Sequence, residues 1–419
     1  MPDGRRFLNA TWQPVIDSKY KFYVYSAYLD KRILEKQINI PSPRVRVVGV
    51  ARLLNLTIAE RAFCRYWYDD EQFKLEAKSR KKFIAEAVMT PFTEHHGLDY
   101  SACFIDCLIA ITAKIPTAVS VYSEQVMTTF LKDDDLISLP DAGNFLPINI
   151  QPEKPNDRTD LVACVKPLYS EFVQAWKLIE WIELNKILGF SHFYIYYHNS
   201  TKEVKCVLDD YVKNGTVTLF QWQNLPFKNN VDLREENMFA ALNDCALRSI
   251  NVHKYVAPFD VDEFIVTKNY TLLKFLEAFD KRGGNEISFV FQLAFFYLQW
   301  PDDSYYSGVD LTTQKKTKRR TEFKKNRGKY ICKPEGVAEI GNHFLWKMTK
   351  KKYREVVIKP EFGNLFHYRN CERDYDNCWE DQFIEDRTMW KYQKELEKSM
   401  KVIEQNLAEK CKLCRLGNI

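Results

Sequence analysis

The stretch Tyr255-Val256-Ala257-Pro258-Phe259-Asp260-Val261-Asp262-Glu263-Phe264-Ile265-Val266 reads as an apolar strand interrupted by three acids. Side chains of an extended chain alternate between faces, so Asp260 and Asp262, one residue apart, share a face and converge on one cation. The hydrophobic residues on both sides predict a strand buried in a sheet with the acids near its carboxyl end, the edge at which open α/β sheets bind ligands. Like charges so close call for a neutralising partner, and an all-oxygen pair favours Mg2+ or Mn2+ over zinc. An EF-hand is excluded because Glu263-Phe264-Ile265 lacks its oxygen ligands and glycine. An aspartyl phosphatase ranks low, since Phe264 offers no hydroxyl to hold a phosphate.

Working outward, strands and helices alternate around this run. Leu161 to Val165 is an uninterrupted apolar strand, followed by a helix expected from about Ser170 as cap, with Glu171 in its first turn and Gly189 at its end. A strand over Phe193 to Tyr197, a helix over Glu203 to Lys213, a strand over Val217 to Phe220 and a helix over about Leu233 to Ile250 then lead into the acidic strand. This alternation predicts a doubly wound α/β domain with a mostly parallel sheet. Further strands are expected at Ile287 to Leu298, Tyr330 to Cys332, Val356 to Ile358 and Asn364 to Arg369, with a mobile basic loop over Lys315 to Lys329. Before residue 155 the runs are short, alternating and separated by turn residues, the pattern of a small β-sandwich-like domain. A Pro- and Asn-rich stretch over 140–160 reads as a linker. The expected organisation is a β-rich domain over 1–155, with carbohydrate binding as its candidate role, a catalytic domain over 156–372, and a charged helical extension over 373–419.

Composition narrows the function. Of 419 residues, 61 are basic and 56 acidic, so the net charge of +5 gives no reason to expect nucleic acid as a partner. The 28 Phe, 23 Tyr and 9 Trp supply large cores and sugar-stacking surfaces. Eleven scattered cysteines carry no zinc-site spacing, and their odd number leaves at least one unpaired within the chain. Sequons at Asn9, Asn55, Asn199, Asn214 and Asn269 exceed the roughly two expected by chance and favour a secretory lumen. No run approaches a membrane helix, and Met1 to Arg6 do not lead into a signal-peptide core. The expectation is a soluble protein, or a luminal piece whose anchor lies before residue 1.

Taken in order, Lys166-Pro167, Glu180-Trp181-Ile182-Glu183, Leu188-Gly189-Phe190, Phe193-Tyr194-Ile195-Tyr196, Asn243-Asp244-Cys245, Asp260-Val261-Asp262-Glu263-Phe264, Lys329 to Pro334, His343 and His367-Tyr368-Arg369 resemble the pattern of glycosyltransferase family 92. The resemblance spans roughly residues 161–370. It implies a GT-A fold and an inverting, metal-dependent enzyme that moves galactose from UDP-galactose to a galactose- or fucose-terminated glycan, with β-1,4 the expected linkage. It also implies a type II Golgi membrane protein acting on a glycoprotein N-glycan or glycolipid, and a homodimer is compatible with it.

On that basis Asp260 lies near the ribose or metal, Asp262 ligates Mn2+ or Mg2+, and His367 is expected as the third protein ligand, with His343 its rival and His253 structural. Lys166 and Tyr197 are expected beside the base and ribose. Asn243, Asp244 and Arg248 are expected against donor sugar or phosphate, and Lys329 against the diphosphate. Inversion needs a carboxylate base. Asp302 and Asp303, after Gln299-Trp300-Pro301, are the first candidates, with Glu335 and Asp381 left open. A non-catalytic lectin-like protein and a transferase using another UDP-sugar are the competing readings.

Overall fold

A computed structural model describes residues 10–35, 42–68, 84–109, 114–132, 142–153, 159–168, 174–269, 271–280, 283–372, 378 and 382–414. The expected helix cap Ser170 and the base candidate Asp381 lie outside them.

The amino-terminal part holds β1 (Gln13–Pro14), β2 (Tyr23–Asp30), β3 (Arg44–Leu54), β4 (Thr57–Ile58), β5 (Ala62–Trp67), β6 (Ile84–Pro91), β7 (Tyr100–Leu108), β8 (Ala118–Ser123) and β9 (Leu146–Asn149), with helix α1 (Glu124–Lys132) after β8. Their order is β1-β2-β9-β8-β5-β6-β7-β3-β4, and β2 also pairs with β3. Strands β2 to β9 without β4 therefore close into a ring, where the sequence led us to expect two stacked sheets. Alternation along each strand is the same in both architectures, and only the β2 pairings to β3 and β9 decide between them. Val24, Val45, Val47, Cys64, Ile105 and Val121 fill part of its interior. Elsewhere on its strands Arg46 is paired with Asp106 (Nε to Oδ1, 2.7 Å) and Arg44 with Asp30 (Nη2 to Oδ2, 2.9 Å), all four buried, so each charge is removed from water only with a partner.

The second part holds β10 (Thr159–Leu168), α2 (Ala175–Leu188), β11 (His192–Tyr197), α3 (Lys202–Lys213), β12 (Val217–Gln221), α4 (Met238–Ser249), β13 (His253–Phe259), β14 (Glu263–Thr267), α5 (Leu272–Asp280) and β15 (Glu286–Tyr297). After them come α6 (Thr312–Lys315), β16 (Lys318–Arg320), β17 (Lys324–Cys332), β18 (Val337–Ile340), β19 (Leu345–Met348), β20 (Arg354–Ile358), β21 (Gly363–Arg369), β22 (Phe383–Glu385) and α7 (Gln393–Leu407). The main sheet runs β12-β11-β10-β13-β17-β15-β21-β14, with β20 added beside β15. Strands β10 to β13 are parallel to one another, as the helix alternation predicts. Beyond β13 the sheet is mixed: β17 is antiparallel to both β13 and β15, and β14 is antiparallel to β21. The fold is a mixed α/β architecture in which sheet dominates.

Local sequence explains the helix ends. Thr201 caps α3 with its side chain accepting from the Val204 amide, and Gly189 ends α2 in the left-handed region at φ 116°, open to a residue without a Cβ. Helix α2 is buried nearly all round, between the sheet and α7, so its apolar residues form no narrow stripe. The basic segment 315–329, expected as a mobile loop, is largely ordered as β16 and the start of β17, with Arg319, Gly328 and Lys329 turned inward and Lys325, Asn326 and Arg327 exposed.

The two parts share a core. Tyr25, Tyr28, Val48 and Phe104 of the ring pack with Tyr194, Tyr196, Trp222 and the buried face of α4. Among the described residues, disulfides join Cys64 to Cys107, Cys164 to Cys245, Cys206 to Cys411 and Cys371 to Cys378, and no helix is long and apolar enough to cross a membrane. The Cys206–Cys411 bridge closes 205 residues and ties the end of α7 to α3. Substituting Cys206 with Ser is expected to lower unfolding free energy by about 2–5 kcal/mol, read from a denaturant titration.

Candidate active site

The acidic run sits at the carboxyl end of β13, but Asp260 to Asp262 form a turn into β14. The Glu263 amide donates to the Asp260 carbonyl at 3.2 Å and the Asp260 amide donates back to Glu263 Oε2 at 3.0 Å. Period-two alternation therefore does not aim the acids. The turn does, together with β21, whose His367 lies opposite Glu263 in register.

Asp260 is held by two lysines. Lys166, on β10, reaches Oδ1 at 2.7 Å and Lys329, on β17, reaches Oδ2 at 3.2 Å and Glu263 Oε2 at 3.5 Å. Burial disfavours its charge, but the two ammoniums win and hold the Asp260 carboxyl well below the usual range. Burial likewise opposes the Lys166 ammonium, and Asp260 outweighs it, raising its pKa. Glu263 goes the other way. It is buried beside Asp260, and its pKa is raised despite Lys329. Lys329 has no exposed surface, so it supports Asp260 from beneath, whereas Lys166 lines the cleft, as does Lys177.

His367 Nε2 lies 3.1 Å from Asp262 Oδ2, and Nδ1 lies 3.6 Å from Glu263 Oε1. Burial opposes protonation of His367, and Asp262 more than offsets it. Donor atoms about 2.1 Å from one octahedral cation, at right angles, stand roughly 3.0 Å apart. The Asp262 to His367 spacing thus fits a shared Mn2+ or Mg2+, and both line a cleft of about 540 Å3 with Lys166 and Asp260. Among the described residues no three His, Cys, Asp or Glu side chains form a ready-made cage, so further ligands would come from water or a bound anion.

Other expected site residues are placed differently. Tyr197 ends β11 near the carboxyl edge, its hydroxyl accepting from Ser200 at 3.2 Å. Asn243, Asp244 and Arg248 do not face the cleft. Asn243 donates to the Ile340 carbonyl at 2.8 Å, while Asp244 and Arg248 are fully buried against the ring. Asp244 accepts from Ser26, Tyr28, Tyr196 and Arg248, because α4 turns this face inward to the second core. Asp303 is buried and bonded to Arg387 Nε and Thr317 Oγ1 at 2.7 Å each, and Asp302 pairs with Lys316 at 2.6 Å. Neither lines the cleft, which argues against both as the base. Glu335 accepts from the Asn251 amide, at the far end of β13. His343 has its ring nitrogens against the Gly328 carbonyl (3.2 Å) and Asn342 (3.1 Å), and His253 is buried against Tyr194.

Sequence reasoning passed over three participants. Glu263 braces Asp260 and His367, Asn342 accepts from Lys329, and Arg369 lines the cleft. Arg369 carried a signal, being two residues from His367 on the same strand and hence on its face.

The site combines a half-buried lysine, a turn carboxylate and a histidine–carboxylate pair at the carboxyl edge of the sheet, where open α/β sheets bind ligands. The glycosyltransferase family 92 pattern matches residues 159–407, more than half of the chain, and the protein belongs to that family. It is 25% identical over 328 residues to the Caenorhabditis elegans beta-1,4-galactosyltransferase galt-1, covering 75% of this chain and 70% of that one. It is 23% identical over 262 residues to the C. elegans glycosyltransferase family 92 protein F13G3.3, covering 57% of this chain and 47% of that one. A solved structure of Staphylococcus aureus TarS 1-349 aligns over 50% of this chain and 60% of that one at 14% identity with a TM-score of 0.26, too low to carry an argument.

Proposed function

We propose that the protein is an inverting galactosyltransferase of the GT-A type that transfers galactose from UDP-galactose, with Mn2+ or Mg2+, to a galactose- or fucose-ended glycan in a β-1,4 linkage. The observation that carries this reading is the Asp262–His367 pair beside Lys166 and Asp260 in one cleft of a family 92 chain. The name of the C. elegans relative supports the choice of galactose.

Each residue then has a role set by its position. Asp262 and His367 would hold the cation, which neutralises charge on the departing diphosphate. Lys166 lines the cleft as a point charge for a phosphate oxygen, with its ammonium bonded to Asp260. Asp260, fixed by Lys166 and Lys329, is positioned to accept from a ribose hydroxyl. Tyr197 flanks the same edge beside the nucleotide. The four disulfides and the surplus of sequons support a Golgi-lumenal enzyme.

The test is transfer from UDP-galactose to a β-galactoside, measured as UDP release and product mass. Activity is expected with Mn2+, to fall to background with a chelator and to return on adding Mn2+. Transfer undiminished by chelation removes the metal role. Transfer from UDP-glucose or UDP-N-acetylglucosamine instead of UDP-galactose corrects the donor.

A further inference from the structure

We infer that Phe344 and Trp346 form a stacking surface for an outer sugar of the acceptor glycan, completed by Glu94 from the amino-terminal ring. This rests on the galactosyltransferase reading and adds a binding subsite to it. The two rings lie at the turn and start of β19 in the β18–β19 hairpin, with centroids 5.5 Å apart. They are 44% and 39% exposed, in a chain that buries most of its large aromatics. A Phe and a Trp held together in water are costly unless something covers them.

The hairpin is tied to the active site. Its Gly341 amide donates to the Phe344 carbonyl at 2.9 Å, closing the turn. Asn342 in that turn accepts from Lys329, the lysine that holds Asp260 at 3.2 Å. The aromatic pair therefore begins two residues from a side chain bonded to the site's own support. The ring contributes too, because the Asn342 amide donates to Glu94 Oε2 at 3.0 Å. Glu94 Oε2 and Trp346 Nε1 come together over Gly341, so that a Cβ there would displace both side chains.

The chemistry of these groups selects a sugar. Galactose has one face of clustered C–H bonds that packs on aromatic rings, and hydroxyls at its rim that bond to a carboxylate or an indole N–H. A surface linked to the cleft through Asn342, Lys329 and Asp260 would meet the glycan beyond the reacting residue, so it favours oligosaccharides over monosaccharides.

The experiment compares wild type with Phe344→Ala, Trp346→Ala and the double variant. Binding of a galactose-terminated trisaccharide and of methyl β-galactoside is titrated by calorimetry in the presence of UDP and Mn2+, and KM for both acceptors and for UDP-galactose is measured where transfer occurs. The single variants are expected to weaken trisaccharide binding about tenfold, as stacking on one ring is worth roughly that factor, and to leave methyl β-galactoside and the UDP-galactose KM unchanged. Equal affinity of wild type and double variant for the trisaccharide overturns the inference, as does equal weakening for both acceptors. Dissociation of a dimer with unchanged glycan binding makes the patch a subunit contact, and also overturns it. The galactosyltransferase reading is judged separately, on whether wild type transfers galactose at all. Both side chains are exposed, so the variants are expected to unfold at the wild-type temperature.

Discussion

Replacing Asp262 with Ala is expected to reduce transfer from UDP-galactose by roughly 10²–10³-fold, the cost of losing one group that meets charge developing in a transition state. The loss falls on chemistry and donor binding, with little effect on the fold. The Asp262 side chain is 40% exposed, and its structural contribution, a carbonyl accepting from the Tyr368 amide at 2.9 Å, survives in Ala. His367→Ala should cause a comparable loss, because Nε2 faces the same Asp262 oxygen. His343→Ala should leave Mn2+ affinity unchanged, since its ring nitrogens are turned to Gly328 and Asn342. Abolished affinity in His343→Ala with unchanged affinity in His367→Ala, measured by Mn2+ titration, would reverse the ligand assignment.

Asp244→Ala should be damaging for a different reason. Its carboxylate accepts from Ser26 and Tyr28 of the ring, from Tyr196 of β11 and from Arg248 one turn along α4, all buried. Removal strands the Arg248 guanidinium, which has essentially no exposed surface. Breaking a buried pair from one side costs about 3–5 kcal/mol, so equilibrium unfolding should shift by that amount. UDP affinity per folded molecule should stay at the wild-type value, measured below the transition. A loss of UDP affinity with unchanged stability would return Asp244 to the donor site.

These variants mark what was legible in the sequence. The parallel strands β10 to β13 were readable because each is an apolar run joined by a helix with its own end signals, as at Gly189 and Thr201. Asp260 and Asp262 were readable because acids in such a run demand a partner. His367 was placed by its position at a strand end, and β21 does bring it against Asp262. Long-range pairing was not readable. Asp244 and Arg248, one turn apart on a helix, look the same whether they face a donor or a tyrosine more than 200 residues earlier. Lys329 was expected against the diphosphate, but the pairing of β17 with β13 and β15 turns it inward onto Asp260, while Lys325 and Arg327 earlier on the strand stay exposed. Asp303 carried no sign that Arg387 would occupy it. The ring differs from a sandwich only in which strands touch, which alternation does not encode.

The central claim is that Asp262 and His367 create a cation-dependent site for a nucleoside diphosphate. The most direct measurement is calorimetric titration of UDP into the wild-type protein with Mn2+ and with a chelator, repeated on Asp262→Ala. Binding that requires Mn2+ in the wild type and is lost in the variant is the predicted result. Equal UDP affinity with and without Mn2+, unaltered by the substitution, would contradict it.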